Sequence, residues 1–217
     1  MKKLLPLLLL ILIGCSEPEP INRDEMLIER NDVYYTKDTN QPYSGPVFVL
    51  YENGQLKGGQ ILKDGKLDGP FKTYYENGQL WMEGTFKDDK LDGLLKSYYE
   101  NEQLRSEETY KDGKSDGPYK SYFENGQLLE EGTFKDGKSD GPFKLYHENG
   151  QLFEEKTFKD GQLNGLVKSY LDNGQLRLES TYKDGERDGT YKLYDYEGQL
   201  RQEGTWKDGE LIEQKEY

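Results

Sequence analysis

The sequence predicts an all-β protein, an elongated single-layer antiparallel meander of tandem 24-residue β-hairpins. Three observations predict it. The tetrapeptide Asn-Gly-Gln-Leu ends at Leu56, Leu80, Leu128, Leu152 and Leu176, and Asn101-Glu102-Gln103-Leu104 and Glu197-Gly198-Gln199-Leu200 fill the same slot, each step being 24 residues. Lys-Asp-Gly ends at Gly65, Gly113, Gly137, Gly161, Gly185 and Gly209 with the same period, Asp89 standing in the remaining slot. A fixed period of this length marks a repeat architecture, about seven units here. Third, 33% of residues are hydrophobic and 33% charged, yet aromatics reach 13% with 18 Tyr, 8 Phe and 25 Gly. Disordered chains are poor in aromatics. Many turns and few aliphatic residues point to thin β-structure without a thick core.

The chain begins with a different kind of segment. Lys2 and Lys3 precede an apolar run from Leu4 to Ile13, interrupted by Pro6. The run is shorter than the ~20 residues of a membrane-spanning helix and has the layout of an export signal, residues 1–14. Its end, Leu12-Ile13-Gly14-Cys15, resembles the bacterial lipobox. The resemblance implies a diacylglyceryl group on the Cys15 sulfur, cleavage after Gly14 and acylation, as by palmitate, of the new amine. Several acyl chains suffice for a stable anchor. Cys15 is the only cysteine, so no internal disulfide can form. Ser16 in place of an aspartate leans towards the outer membrane of the cell envelope. Residues 15–32, with Glu17-Pro18-Glu19-Pro20, read as the lipidated cysteine and a flexible polar tether. Residues 33–217 are then the repeat domain.

Within a repeat, Asn77-Gly78 between two alternating runs is a strong hairpin signal. A two-residue type I′ loop centred there pairs Tyr75 with Leu80, Tyr74 with Trp81, Thr73 with Met82, Lys72 with Glu83 and Phe71 with Gly84. The same register sets Lys opposite Glu six times, at 72–83, 96–107, 120–131, 144–155, 168–179 and 192–203. Such pairs stabilise by ~0.2–1 kcal/mol each, and a one-residue slip would put every side chain on the wrong face. Alternation then defines two faces. One is apolar, with columns Phe71, Leu95, Tyr119, Phe143, Val167, Tyr191 and Phe86, Tyr110, Phe134, Phe158, Tyr182, Trp206. The other carries the Lys–Glu pairs, a Thr column and Tyr74, Tyr98, Tyr122, Tyr146, Tyr170 and Tyr194. Those six tyrosines are the candidate interaction surface, since Tyr is favoured at interfaces and aromatic faces stack on sugars. The last stretch, Leu211 to Tyr217, breaks the pattern.

The net charge is −13, and −15 once Lys2 and Lys3 leave with the signal. That balance opposes nucleic-acid binding, which needs a basic patch. No catalytic constellation is legible. His147 is the only histidine and occupies the column of Tyr75, so a zinc site lacks ligands and a nucleophile pair lacks a base. Carboxylates recur with the repeat rather than forming one unique pair in unlike environments. Asp64 with Asp68, or Asp112 with Asp116, offer few of the six to eight oxygens calcium takes. The expectation is a non-enzymatic protein with no metal and no cofactor.

The run Gly84-Thr85-Phe86-Lys87-Asp88-Asp89-Lys90-Leu91-Asp92-Gly93, followed by a Lys–Tyr strand and Glu-Asn-Gly, resembles the MORN repeat variant found in bacterial proteins grouped as YwqK-family antitoxins of toxin–antitoxin systems. The match covers about residues 33–211. The tyrosine slot of classical MORN repeats holds Glu83, Glu107, Glu131, Glu155, Glu179 and Glu203 here. The resemblance implies a MORN-like hairpin fold and a lipid-anchored module that binds a protein partner, antitoxin-like in the finer reading. The alternatives are a cell-wall or glycan binder and a structural envelope lipoprotein.

Overall fold

The computed structural model describes residues 18–217. The export signal and Cys15 lie outside the described residues. Strands dominate, and the repeats form one open antiparallel meander, each strand hydrogen-bonded to the next along the chain. A typical unit is the hairpin Gly69–Tyr74 and Leu80–Lys87, a tight turn, the two-residue strand Lys90–Leu91 and the next hairpin strand Gly93–Tyr98.

All six Lys–Glu pairs stand in the expected register. The junctions between hairpins extend them, because Glu83 also faces Lys96, and Glu107 faces Lys120, Glu131 Lys144, Glu155 Lys168 and Glu179 Lys192. Lysine and glutamate therefore alternate in one row across the sheet. The row ends at Lys215, which faces Glu203, so the last stretch keeps the pattern at that position. Geometry within ion-pair range is selective, with Lys72–Glu83 at 2.9 Å and Lys168–Glu155 at 3.6 Å.

The turns exchange the roles the sequence suggested. The two-residue loop with both φ positive is Asp-Gly, as in Asp64 (φ 51) and Gly65 (φ 80) between the paired Lys63 and Lys66. The Asn-Gly loop has three residues. Gly78 N–H donates to the Tyr75 carbonyl at 2.9 Å, Tyr75 N–H to the Gln79 carbonyl at 2.8 Å, and only Gly78 has positive φ. This is a type I turn closed by a glycine bulge. The physical reason is local: Asn77 Oδ1 accepts from the Gln79 N–H at 2.9 Å, an Asx bond that holds Asn77 at negative φ. Tyr75 therefore stands opposite Gln79 rather than Leu80, and Tyr74 opposite Leu80 rather than Trp81.

An odd loop would shift the register by one residue. A β-bulge at Trp81, between the pairs Tyr74–Leu80 and Thr73–Met82, shifts it back. The two irregularities cancel, which is why the Lys–Glu register survives.

Aromatic side chains cover the other face. Phe134, Phe143 and Phe158 meet edge to face at 5.4 and 5.2 Å, and Phe71 lies 4.7 Å from Phe86. The ring of Phe143 fills the space over Gly132, where a Cβ would stand 2.4 Å from it. Each aromatic is shielded mainly by its neighbours, the nearest-neighbour stability of a repeat array.

The expected tether is shorter than 15–32. Ile21–Asn22 pairs in parallel with Gly45–Leu50, a helical turn Arg23–Met26 follows, and Leu27–Arg30 pairs with Val33–Thr36. Leu27, Val47 and Leu62 are almost fully buried together, with Ile21, Tyr34 and Tyr43 against them. Burial of Ile21 and Leu27 is the force that folds this stretch back onto the first hairpin. The clasp is fixed by Tyr34 N–H to the Gly65 carbonyl and Gly65 N–H to the Tyr43 carbonyl, both at 2.8 Å.

Candidate functional site

The six tyrosines lie on the Lys–Glu face, each half-buried, in the strand position two residues after the lysine. Four of the six hydroxyls bond inside the fold. Tyr98 donates to Glu83 at 2.8 Å, Tyr122 to Glu107 at 3.3 Å, Tyr146 to Glu131 at 2.8 Å and Tyr170 to Glu155 at 2.8 Å. Each reaches back one repeat, so every bond ties two hairpins together. Burial first, then the bond to an acceptor that is already negative, push the Tyr98, Tyr146 and Tyr170 hydroxyls up to about 12. Glu83 is held below its ordinary value mainly by the hydrogen bond from Lys72, with Tyr98 adding to it against partial burial. The column thus presents ring edges, while its polar ends stabilise the charged row.

A second tyrosine column works at the loop edge. Tyr51, Tyr75 and Tyr99 donate to the carbonyls of Tyr74, Tyr98 and Tyr122, at 2.6, 2.7 and 2.8 Å. His147 continues this column, as its spacing predicted, and stacks on Phe153 at 5.0 Å. The turn aspartates also have structural partners: Asp140 accepts from the Asp160 N–H at 3.2 Å and Asp188 from the Asp208 N–H at 3.4 Å. Among the described residues no three His, Cys, Asp or Glu side chains converge. On the aromatic face Glu130 stands out, its carboxyl pushed up by burial against the weaker pull of Lys156.

Sequence reasoning missed one group. Every hairpin bulges at the same place, and the unpaired residues are Lys57, Trp81, Arg105, Leu129, Phe153, Arg177 and Arg201. All but Leu129 are exposed. The signal was there to find: the position after Gln-Leu keeps neither size nor charge from repeat to repeat, which marks a side chain the sheet does not constrain. These side chains lie over the second tyrosine column, Lys57 at 5.6 Å from Tyr51, Trp81 at 6.1 Å from Tyr75 and Arg105 at 5.8 Å from Tyr99. An open cavity of about 260 Å³ lies at the same edge, between Leu171, Arg177, Tyr194 and Arg201. The arrangement offers an extended surface of rings and cations.

Among curated proteins none matches the chain. Solved structures that resemble it include a GtfA/B complex bound to UDP and GlcNAc, at 10% identity and a TM-score of 0.19, covering 78% of this chain and 28% of that one. A TcdB2-TccC3-Cdc42 structure resembles it at 13% identity and a TM-score of 0.15, covering 75% of this chain and 12% of that one. The chain thus spans less than a third of either, and such scores carry no argument about function. The family model described as MORN repeat variant matches residues 67–88, 91–112, 115–136, 139–160, 163–184 and 187–208, which is six of the seven hairpins and more than half of the sequence. The first hairpin, built into the N-terminal clasp with Phe48 opposite Gly59 in place of the usual Lys–Glu pair, falls outside those matches. Repeat by repeat, the chain belongs to the MORN repeat variant family.

Proposed function

We propose that this protein is a non-enzymatic interaction module, held at the bacterial envelope by lipid on Cys15, that binds another protein along its extended sheet. Repeats of this family serve generally in protein or membrane interactions. The observation that carries the reading is the uniform bulge at every hairpin, which lays a row of mostly exposed rings and cations over the second tyrosine column. Bulges that re-aim side chains are features of functional edges. Trp, Tyr and Arg are the residue types that dominate binding energy at protein interfaces. An antitoxin-like role is the finer form of the same reading, and a toxin as the bound partner is what would establish it.

The test is affinity purification of the full chain, carrying a tag after Tyr217, from detergent-solubilised envelope and from cytosol, with mass spectrometry of what is retained. A partner at about one copy per chain supports the reading, and its identity decides between an antitoxin and another interaction role. Retention on purified cell wall with no protein partner contradicts it. Palmitate labelling that disappears in Cys15→Ser tests the anchor separately.

A further inference from the structure

We propose that the strand Glu210–Glu216 is a dimerisation edge, to which a second copy of this chain adds the same strand, antiparallel about a two-fold axis through Gln214. The inference goes beyond the partner-binding reading and does not rest on it.

The edge is open. Glu210–Glu216 pairs with Leu200–Lys207 on one side and, among the described residues, with no strand on the other. All seven of its residues are exposed, Ile212 at 64%. The opposite end of the sheet offers only the two-residue strand Ile21–Asn22, laid over Gly45–Leu50, whose Val47 is buried with Leu27 and Leu62. A second copy therefore finds a free strand of useful length only at the same edge. The contact is then isologous and closes on two chains instead of growing head to tail.

The charge row names the occupant. Lys96, Lys120, Lys144, Lys168 and Lys192 each stand between two glutamates, one on either neighbouring strand. Lys215 has Glu203 on its inner side and no strand on its outer side. Its ammonium reaches along the strand to the Tyr217 hydroxyl at 3.0 Å. Backbone polarity limits the register. The Tyr217 N–H donates inward, to the Arg201 carbonyl at 2.9 Å, so by alternation Gln214 and Glu216 turn their N–H and C=O groups outward. Only residues of like orientation can stand opposite each other, so a two-fold passes through a residue and not between two. Through Gln214, that residue exchanges both backbone bonds with its own copy, and Glu213 meets Lys215 twice, once in each direction. Lys215 then gains the second glutamate that every one of those interior lysines has. An axis through Glu213 sets that carboxylate against itself, and one through Lys215 sets lysine on lysine; like charges oppose both. Axes through Ile212 or Glu216 leave Lys215 without a glutamate. Charged edges normally ward off pairing. Here the charges are self-complementary in one register.

The experiment is light scattering of the full chain in detergent, from micromolar to millimolar concentration, read as protein mass per particle. The wild type should rise from one chain to two. Glu213→Lys brings lysine against lysine and Lys215→Glu brings glutamate against glutamate, so each alone should associate at least tenfold more weakly. An equimolar mixture of these two variants restores opposite charges across the axis and should recover the doubling. Gln214→Pro removes an outward N–H that the fold itself does not use, which an edge strand tolerates, and should abolish the doubling. Circular dichroism confirms that the variants keep the wild-type fold. A wild type that stays single, doubling that survives Gln214→Pro, or a mixture no better than its components overturns the proposal. Chains gathered only by shared micelles would raise the mass of every variant alike, which counts against the strand contact. Mass growing beyond two chains would assign an open, head-to-tail contact and overturns it as well.

Discussion

Replacing Gly132 by alanine isolates the packing that holds the repeats together. A Cβ built at Gly132 lies 2.4, 2.4 and 2.5 Å from Cδ1, Cε1 and Cζ of Phe143. Real carbon contacts sit at ~3.5–4 Å, so the ring must retreat by about 1 Å. It has little room, because Phe143 is 4% exposed and wedged edge-on between Phe134 and Phe158. Overpacking of this kind costs ~1–3 kcal/mol. Against that, alanine restricts the unfolded chain and returns ~0.4–1 kcal/mol where the backbone accepts it, as at Gly132, which is not a positive-φ glycine. The net expectation for Gly132→Ala is a loss of ~1–2 kcal/mol. Gly59→Ala is the matched control: its Cβ would meet only the Val47 carbonyl, at 3.8 Å, and the variant should be unchanged or slightly more stable. Gly84→Ala falls between, with the nearest atoms of Phe71 and Leu95 at 2.9 and 3.0 Å. Urea unfolding followed by circular dichroism measures all three. If Gly132→Ala is as stable as Gly59→Ala, the aromatic ladder is not packed as described.

Other perturbations test other parts. Lys120→Glu sets three carboxylates in a row between Glu107 and Glu131 and should cost ~1–2 kcal/mol in urea unfolding, an effect that shrinks in 1 M salt. Glu102 has φ 66 in a slot where other repeats carry glycine, so Glu102→Gly should raise stability by ~1 kcal/mol, and an unchanged midpoint would contradict the turn geometry. The Tyr98, Tyr146 and Tyr170 values lie above the ordinary 10, so the stabilising neutral form is present below pH 10 and is lost as pH rises through about 12. Tyrosinate absorbance should therefore show a late-titrating class that returns to about 10 in denaturant and shrinks in the triple Tyr→Phe variant. Glu83 has the opposite sign: its value is lowered from 4.5, so its contribution holds above that pH and fades as acid is added through the folded value. Glu83→Gln should flatten the acid limb of the stability curve, and an unaltered limb would speak against the Lys72–Glu83–Tyr98 cluster.

Much of this architecture is written in the period. The 24-residue spacing, the Lys–Glu register and the two faces follow from repetition alone, because six repeats constrain one alignment. Two details did not follow. Asn-Gly is shared by two-residue I′ loops and by three-residue loops with a glycine bulge, and the choice turns on the Asn77 Oδ1 bond to Gln79, a contact between neighbours that strand alternation does not report. The bulge at Trp81 was hidden because it cancels the odd loop and leaves the downstream register untouched. That cancellation also concealed the bulge column, whose members differ in chemistry from repeat to repeat. The six tyrosines are on the face the pattern gave them, but their hydroxyl partners, one hairpin back, depend on pairing between repeats. The N-terminal clasp was obscured by Glu17-Pro18-Glu19-Pro20, whose composition reads as linker while Ile21 and Leu27 just beyond it find a core.

Whether the sheet holds a protein partner, as proposed, can be read by chemical cross-linking in intact cells. The full-length chain would carry a photo-reactive residue at position 153, exposed in the bulge column, or at position 133, in the Thr column of the Lys–Glu face. The expected result is one discrete adduct from position 153, of fixed mass and near-stoichiometric yield, and none of comparable yield from 133. Equal adducts from both positions, or none from either while the protein remains intact, would contradict it.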